Sequence, residues 1–247
     1  MNKKIAGIIL AGGKSSRYGK KCHKFLDSFS GKPLIIRTLE AIKPVVDWII
    51  VVTGTDNTEI KEALKEFPNL TYVIQKQPLG TGNALLSTDY LFENTDYTLL
   101  VSYADKPLIT SKTFRKLIDR HIKSEAEITI ATAILSLPGS KGRIIREKGK
   151  FARVIEAKDA DPEILKIKEV NAGFLVCEAH SIYRELRKIN NNNASKEYYL
   201  TDVYTEYIKD GLDICTVRIP PEESCDINTL SELQNINQWI MTVKKQK

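Results

Sequence analysis

Continuous apolar runs alternate with longer amphipathic segments through the first half of the chain, the pattern of a parallel sheet covered by helices. Ile5 to Leu10, Trp48 to Thr53, Thr71 to Ile74 and Tyr97 to Ser102 read as strands, each closed by glycine or polar residues. Between them, Pro33 to Ile42, Glu59 to Phe67 and Gly82 to Leu91 carry apolar residues at helical spacing, the first with proline in its opening turn. In an open sheet of this kind ligands bind outside the carboxyl ends of the strands, so chemistry is expected in the loops that follow them.

The second half changes character. After a helix from Ser111 to His121 and a strand from Ile128 to Ala133, the segment GRIIREKGKFARVIE, residues 142 to 156, reads as two strands joined by a turn at Lys148-Gly149-Lys150. Val170 to Cys177 and Ile214 to Val217 add strands, and Ile182 to Ile189, Tyr199 to Ile208 and Leu230 to Met241 are helical. No internal repeat or low-complexity linker interrupts the chain. One domain over residues 1–247 is therefore expected, with halves at about 1–110 and about 111–235.

A chain of 247 residues that is 42% hydrophobic and 28% charged can bury a full core, and disorder is not the expectation. The excess of 37 basic over 31 acidic residues is mild and comes with no aromatic-plus-basic stripe, so nucleic acid is not an expected partner. Cys22, Cys177, Cys215 and Cys225 show no C-x-x-C spacing and suit thiols in a reducing compartment. The opening MNKKIAGIILAGG imitates a signal peptide, but its apolar run is only seven residues, Ile5 to Ala11, and reads as a buried strand. No stretch approaches the ~20 apolar residues of a membrane span. A cytoplasmic protein without a membrane partner is expected.

Where the charge falls says more than its total. Lys14, Arg17, Lys20, Lys21 and Lys24 follow Gly12-Gly13 within one loop, as though an anion were to be met there. A P-loop would need glycine where Ile8 stands, and the dinucleotide pattern fails because Gly12 and Gly13 are adjacent and Arg17 takes the place of its last glycine. What remains is a loop whose glycines let N–H groups approach a base or phosphate, with Arg17 and Lys24 reaching charged oxygens. A tight turn with solvated lysines fits the same residues.

Four further loops carry candidate chemistry. In QKQPLGTG, residues 75 to 82, the glycines suit a flat ring or ribose packed against backbone, or else a helix start with Thr81 as its cap. Asp105, in YADKP, puts a carboxylate where Mg²⁺ could be shared with substrate phosphates, unless it pairs with Lys106 or caps the next turn. Asn228 or Asp226, in CDINT, offers a second oxygen ligand, although capping of the last helix by Asn228 or Thr229 explains the motif equally well. Glu156, Lys158 and Asn171 lie beside strands and could hydrogen-bond sugar hydroxyls.

In order and spacing, the segments LAGGKSSRYGKKCHKFL, IQKQPLGTGNA, YADKPLI, GRIIREKGKFARVIEAKDA, EVNAGF, NNNASKEYYLTD and DIN resemble the uridylyltransferase domain of bacterial N-acetylglucosamine-1-phosphate uridylyltransferases, within the sugar-1-phosphate nucleotidyltransferase family. The likeness runs from about residue 5 to 235. It implies an α/β fold of the nucleotide-diphospho-sugar transferase type, a Rossmann-like, mixed but mostly parallel sheet flanked by helices. It also implies attack of a sugar-1-phosphate oxygen on the α-phosphorus of a nucleoside triphosphate, with pyrophosphate leaving. Carried over by position, Arg17 and Lys24 would be catalytic. Leu10, Ala11, Gly12, Gly13, Gln75, Gly80 and Thr81 would cradle the nucleotide, Gly142, Glu156 and Asn171 would contact the sugar, and Asp105 and Asn228 would hold the Mg²⁺ cofactor.

Three departures stand out. Tyr103-Ala104-Asp105 replaces the family's Tyr-Gly-Asp and is expected to add a methyl group where backbone meets ligand; Lys141-Gly142-Arg143 replaces Tyr-Gly-Arg, putting a cation beside the sugar pocket. Both bear on the sugar more than on the chemistry. The left-handed β-helix of the bifunctional members does not follow, so acetyl transfer is not expected and a monomer or homodimer is. The alternatives are cytidylyl or guanylyl transfer to another phosphorylated acceptor, and a nucleotide-binding regulator without turnover.

Overall fold

In the computed structural model, which describes residues 3–13 and 24–245 with side chains through Gln238, the strands are β1 (Lys4–Ala11), β2 (Ser28–Phe29), β3 (Lys32–Pro33), β4 (Trp48–Thr53), β5 (Leu70–Ile74), β6 (Tyr97–Tyr103), β7 (Ile128–Ile134), β8 (Arg143–Glu147), β9 (Lys150–Ile155), β10 (Glu169–Glu178) and β11 (Ile214–Arg218). The helices are α1 (Leu34–Ile42), α2 (Thr58–Ala63), α3 (Thr81–Leu86), α4 (Ser111–Ser124), α5 (Pro162–Leu165), α6 (Ala179–Leu186), α7 (Val203–Lys209) and α8 (Leu230–Lys245).

The main sheet runs β11-β7-β10-β6-β1-β4-β5, with the β8/β9 hairpin attached through β8 to β10. β5, β4, β1 and β6 are parallel, β10 is antiparallel to both β6 and β7, and β11 returns parallel to β7. The result is the mixed, mostly parallel, helix-flanked sheet expected from the sequence. The order reverses between β1 and β6: the chain builds outward through β4 and β5, then crosses back to β6. Such a switch point opens a crevice at the strand carboxyl ends.

Both faces of the sheet are covered, so its central strands are apolar on both sides. Ile8, Leu10, Ile50, Val52 and Val101 pack against α3, α6 and α7 through Leu85, Tyr183, Tyr204 and Tyr207. Ile9, Ala11, Val51 and Leu100 face α1, α2 and α4 through Leu39, Ile60 and Phe114. The Phe114 and Phe174 rings meet edge to face at 5.5 Å, both fully buried, and truncating either to alanine is expected to cost about 3–5 kcal/mol. In a smaller cluster, Ile227 is locked against Phe29, Leu34 and Leu233, which fixes the chain on either side of it.

Where the elements depart from the pattern, local chemistry explains it. α2 stops at Ala63 rather than Phe67, since the residue before Pro68 is biased away from helix. α3 ends at Leu86 because the Ser87 and Thr88 hydroxyls donate to the carbonyls of Ala84 and Leu85. Pro33 closes β3 and precedes α1 instead of lying in its first turn. The short α5 starts where Asp161 Oδ1 accepts from the Ile164 amide, with Pro162 next to the cap. The hairpin turn is as expected: Lys148 and Gly149 both have positive φ between the paired Glu147 and Lys150.

Candidate active site

The carboxyl ends of β1, β5 and β6 form one wall of a cleft of about 540 Å³, and the β8/β9 hairpin, β10 and the loop before α8 form the other. Leu10, Gly12, Gly13, Lys24, Gln75, Gly80, Thr81, Asp105, Gly142, Glu156, Asn171 and Asn228 all line it. Two expected residues are not placed there. Arg17 lies outside the described residues. Ala11 turns its side chain to the opposite face of the sheet, in the core beneath α1 and α4, because alternation along β1 sends Leu10 and Ala11 to different sides.

On the first wall, backbone and glycine do most of the shaping. Gln75 is buried, and its Nε2 donates to Gly80 O at 3.0 Å and to Asn83 Oδ1 at 2.9 Å. A Cβ at Gly12 would fall 2.7 Å from Gln75 Oε1, so any larger residue there would have to push the Gln75 amide aside. Gly80 has φ +117°, and a Cβ there would meet the Tyr198 carbonyl oxygen at 2.6 Å. The same Tyr198 accepts from the Gly82 amide and donates to Leu79 O, both at 2.8 Å. Thr81 does not cap α3 with its side chain; its Oγ1 accepts from the Leu200 amide at 3.0 Å. The loop after β5 is thus clasped to the segment before α7.

The second wall is built from side chains that are far apart in sequence. Arg143 pairs with Ile155, so Gly142 and Glu156 face each other at the open end of the hairpin. Thr201 Oγ1 donates to Glu156 Oε1 at 2.8 Å, and burial, with Asp202 and Asp159 nearby, pushes this carboxyl above its ordinary range. Asn171 donates its amide to Gly142 O and accepts from the Gly173 amide, holding a bulge in β10 between its pairings at Asn171 and Leu175. Lys158 Nζ donates to Ser195 Oγ at 2.7 Å at the rim.

Lys24, Asp105 and Asn228 meet between the walls. Lys24 Nζ lies 2.6 Å from Asp105 Oδ2 and donates to Asn228 Oδ1 at 3.1 Å and to Ile227 O at 3.3 Å. Asp105 therefore pairs with Lys24 and not with its neighbour Lys106. The capping alternative for Asn228 is also resolved: Glu232 Oε2 accepts from the Asn228 and Thr229 amides while Thr229 Oγ1 accepts from the Glu232 amide, a capping box that leaves the Asn228 side chain in the cleft.

One carboxylate and one amide oxygen already converge on a cation here, the Lys24 ammonium. Among the described residues, no group of three or more His, Cys, Asp and Glu side chains could hold a metal alone. The donor set fits Mg²⁺, which commonly takes one or two carboxylates and completes its shell with substrate phosphates and water.

Asp226, the other candidate ligand, is engaged elsewhere. Its Oδ1 accepts from both Lys106 and Lys141. Burial alone would raise this carboxyl, but Lys106 and Lys141 hold it well below the ordinary range. Sequence reasoning missed this cluster, whose members are 120 and 85 residues apart and belong to no shared motif. The expectation for Ala104 is corrected as well: its methyl group is fully buried in the core on the α1 and α4 side and does not enter the cleft.

The family model described as the MobA-like NTP transferase domain matches residues 7–137, just over half of the chain. The bifunctional protein GlmU of Thermoanaerobacter pseudethanolicus is 38% identical over 233 residues, 93% of this chain and 50% of that protein. GlmU of Clostridium novyi is 35% identical over 230 residues, 92% and 50% respectively. The chain spans about half the length of these curated relatives. The fold also matches a solved Bacillus anthracis structure, assigned as a glucose-1-phosphate thymidylyltransferase, in complex with sucrose (TM-score 0.79, 20% identity, 95% of this chain and 94% of that one). It matches a UDP-glucose pyrophosphorylase complexed with UDP-glucose similarly (TM-score 0.74, 18% identity, 97% and 99%). At these identities the two structures speak to the fold, which is that of the nucleotide-sugar pyrophosphorylases.

Proposed function

Given that the chain belongs to the MobA-like NTP transferase family, we propose that it transfers a nucleotidyl group from UTP to a hexosamine-type sugar-1-phosphate, N-acetylglucosamine-1-phosphate in the first instance, and releases pyrophosphate. The observation that carries this reading is the meeting of Lys24, Asp105 and Asn228 between a glycine-lined wall and a wall of polar side chains. In the loaded cleft, Leu10, Gly12, Gly13, Gln75, Gly80 and Thr81 receive base and ribose, while Gly142, Glu156 and Asn171 receive the sugar. Residues 1–110 and 111–235 then serve as nucleotide and acceptor halves, as the paired walls suggest.

An acceptor phosphate oxygen attacks the α-phosphorus, the new P–O bond forms, and the bond to the β-phosphate bridging oxygen breaks. No covalent enzyme intermediate is needed, so the chain's own contribution is alignment and charge neutralisation. Lys24, with Arg17 from the same loop, binds the triphosphate oxygens; Glu156 fixes the sugar by accepting from its hydroxyls. Asp105 and Asn228 are the residues that would hold Mg²⁺, and the ion would neutralise phosphate charge there.

A pyrophosphate-release screen crossing the four nucleoside triphosphates with hexose and hexosamine 1-phosphates, in the presence of Mg²⁺, tests the reading. UTP with a hexosamine phosphate is expected to give the highest kcat/KM. Inactivity of UTP with every sugar phosphate would overturn the proposal, and activity with CTP or GTP alone would move it to a cytidylyl or guanylyl transferase.

A further inference from the structure

On the acceptor wall, two lysines share one carboxylate oxygen, and they are not equivalent. Lys106 Nζ is 2.5 Å from Asp226 Oδ1 and donates also to Ala172 O at 2.9 Å and Ser224 O at 3.3 Å. An ammonium has three N–H donors, so Lys106 is saturated, and it is almost wholly buried. Lys141 Nζ donates to the same Oδ1 and to Ser224 O at 2.7 Å, which are its acceptors among the described residues. One donor remains, on a residue that lines the cleft.

The charge around this pair is also unbalanced. The other carboxylates near it are committed: Asp105 to Lys24, Glu156 to Thr201, and Glu232 to the backbone amides ahead of α8. Among the described residues, two ammonium groups therefore face the single Asp226, whose second oxygen has a 3.5 Å contact from Asn228 Nδ2. Burial and the neighbouring Lys106 together push the Lys141 pKa down. An anion beside Lys141 would relieve both penalties.

Lys141 also sits where an acceptor anion would come. It directly precedes Gly142 and is bridged through Asp226 to Asn228, so it stands between the sugar end and the phosphate end of the cleft. We propose that Lys141 binds an anionic oxygen of the acceptor, with Asp226 and Lys106 holding its ammonium in place. This rests on the transferase reading above. The oxygen belongs either to the acceptor's own phosphate or to a carboxylate on its sugar ring.

The test is steady-state kinetics of wild type, Lys141→Met and Lys141→Arg with a hexosamine 1-phosphate and a hexuronic acid 1-phosphate, together with calorimetric titration of each acceptor into the enzyme without nucleotide. For Lys141→Met the acceptor KM and Kd are expected to rise roughly 10- to 100-fold, the loss of one charge-assisted hydrogen bond, while the triphosphate KM stays put and Lys141→Arg recovers most of the loss. An equal rise for both acceptors assigns the oxygen to the phosphate. A wild-type preference for the hexuronic acid that vanishes in Lys141→Met assigns it to the ring. An acceptor KM and Kd within twofold of wild type, in a variant that melts normally, would overturn the inference, as would an equal rise in the triphosphate KM. Absence of turnover by the wild type with every acceptor would instead defeat the transferase reading, and the calorimetric comparison would still decide whether Lys141 binds the anion.

Discussion

The two walls of the cleft are made of different material. The wall proposed to take the nucleotide is backbone brought close by glycine and stitched by main-chain bonds, as in the Tyr198 clasp on Leu79 and Gly82. The wall proposed to take the acceptor is carried by charged and polar side chains, Glu156, Lys141 and Asp226 among them, held by partners far away in sequence. The first can be altered by adding a single methyl group. The second is altered chiefly by changing a charge or a hydrogen bond.

The largest expected effect lies at the seam between the walls. Lys24→Ala and Asp105→Ala should each lower kcat by roughly 10²-fold or more, the usual scale for losing one preorganised charge at a phosphoryl or acyl centre. Melting temperature and circular dichroism should stay near wild type, and near-normal rates would show that the seam is not where chemistry happens.

Gly80→Ala should break the nucleotide wall selectively. The added Cβ has no room against the Tyr198 backbone, and φ +117° is strained for any L side chain, so a cost of about 1–3 kcal/mol is expected. The triphosphate KM should rise while calorimetric affinity for the acceptor holds. Glu156→Gln should do the reverse, raising the acceptor KM by about tenfold for one charge-assisted hydrogen bond. Equal shifts in both KM values for either variant would show that the walls do not divide the labour.

The smallest effect is on stability behind the acceptor wall. Burial, together with Asp159 and Glu206, pushes the Asp202 carboxyl up to about 6. A folded-state pKa above the ordinary value near 4 means that protonation favours the fold; the gain is complete below that value and is lost as pH rises through about 6. Asp202→Asn should therefore stabilise the protein at pH 7.5 by about 1 kcal/mol, allowing for solvent screening. That corresponds to a melting temperature raised by roughly 2–4 °C, with no gain at pH 4.

The same contrast explains what the sequence could tell. Strand ends are local, so LAGG, QPLGTG and YAD are legible as the loops that line the cleft, and the parallel half of the sheet follows from its apolar runs. Alternation along β1 could have removed Ala11 from the site, since Leu10 and Ala11 cannot face the same way. The Asp105 partner was not legible, because Lys24 reaches it across 81 residues while Lys106 stands adjacent. Lys141 and Asp226 each stood out locally, but nothing in the sequence joins them to each other or to Lys106. Only the crossing of β10, the hairpin and the loop before α8 brings the three together.

The most direct test is to incubate the protein with UTP, Mg²⁺ and N-acetylglucosamine-1-phosphate and to quantify both products by mass. The UDP-sugar and pyrophosphate are expected in equal amounts, with both suppressed when Asp105 and Asn228 are replaced together by alanine. Undiminished product from that double variant, or no UDP-sugar from the wild type with any hexosamine phosphate, would contradict it.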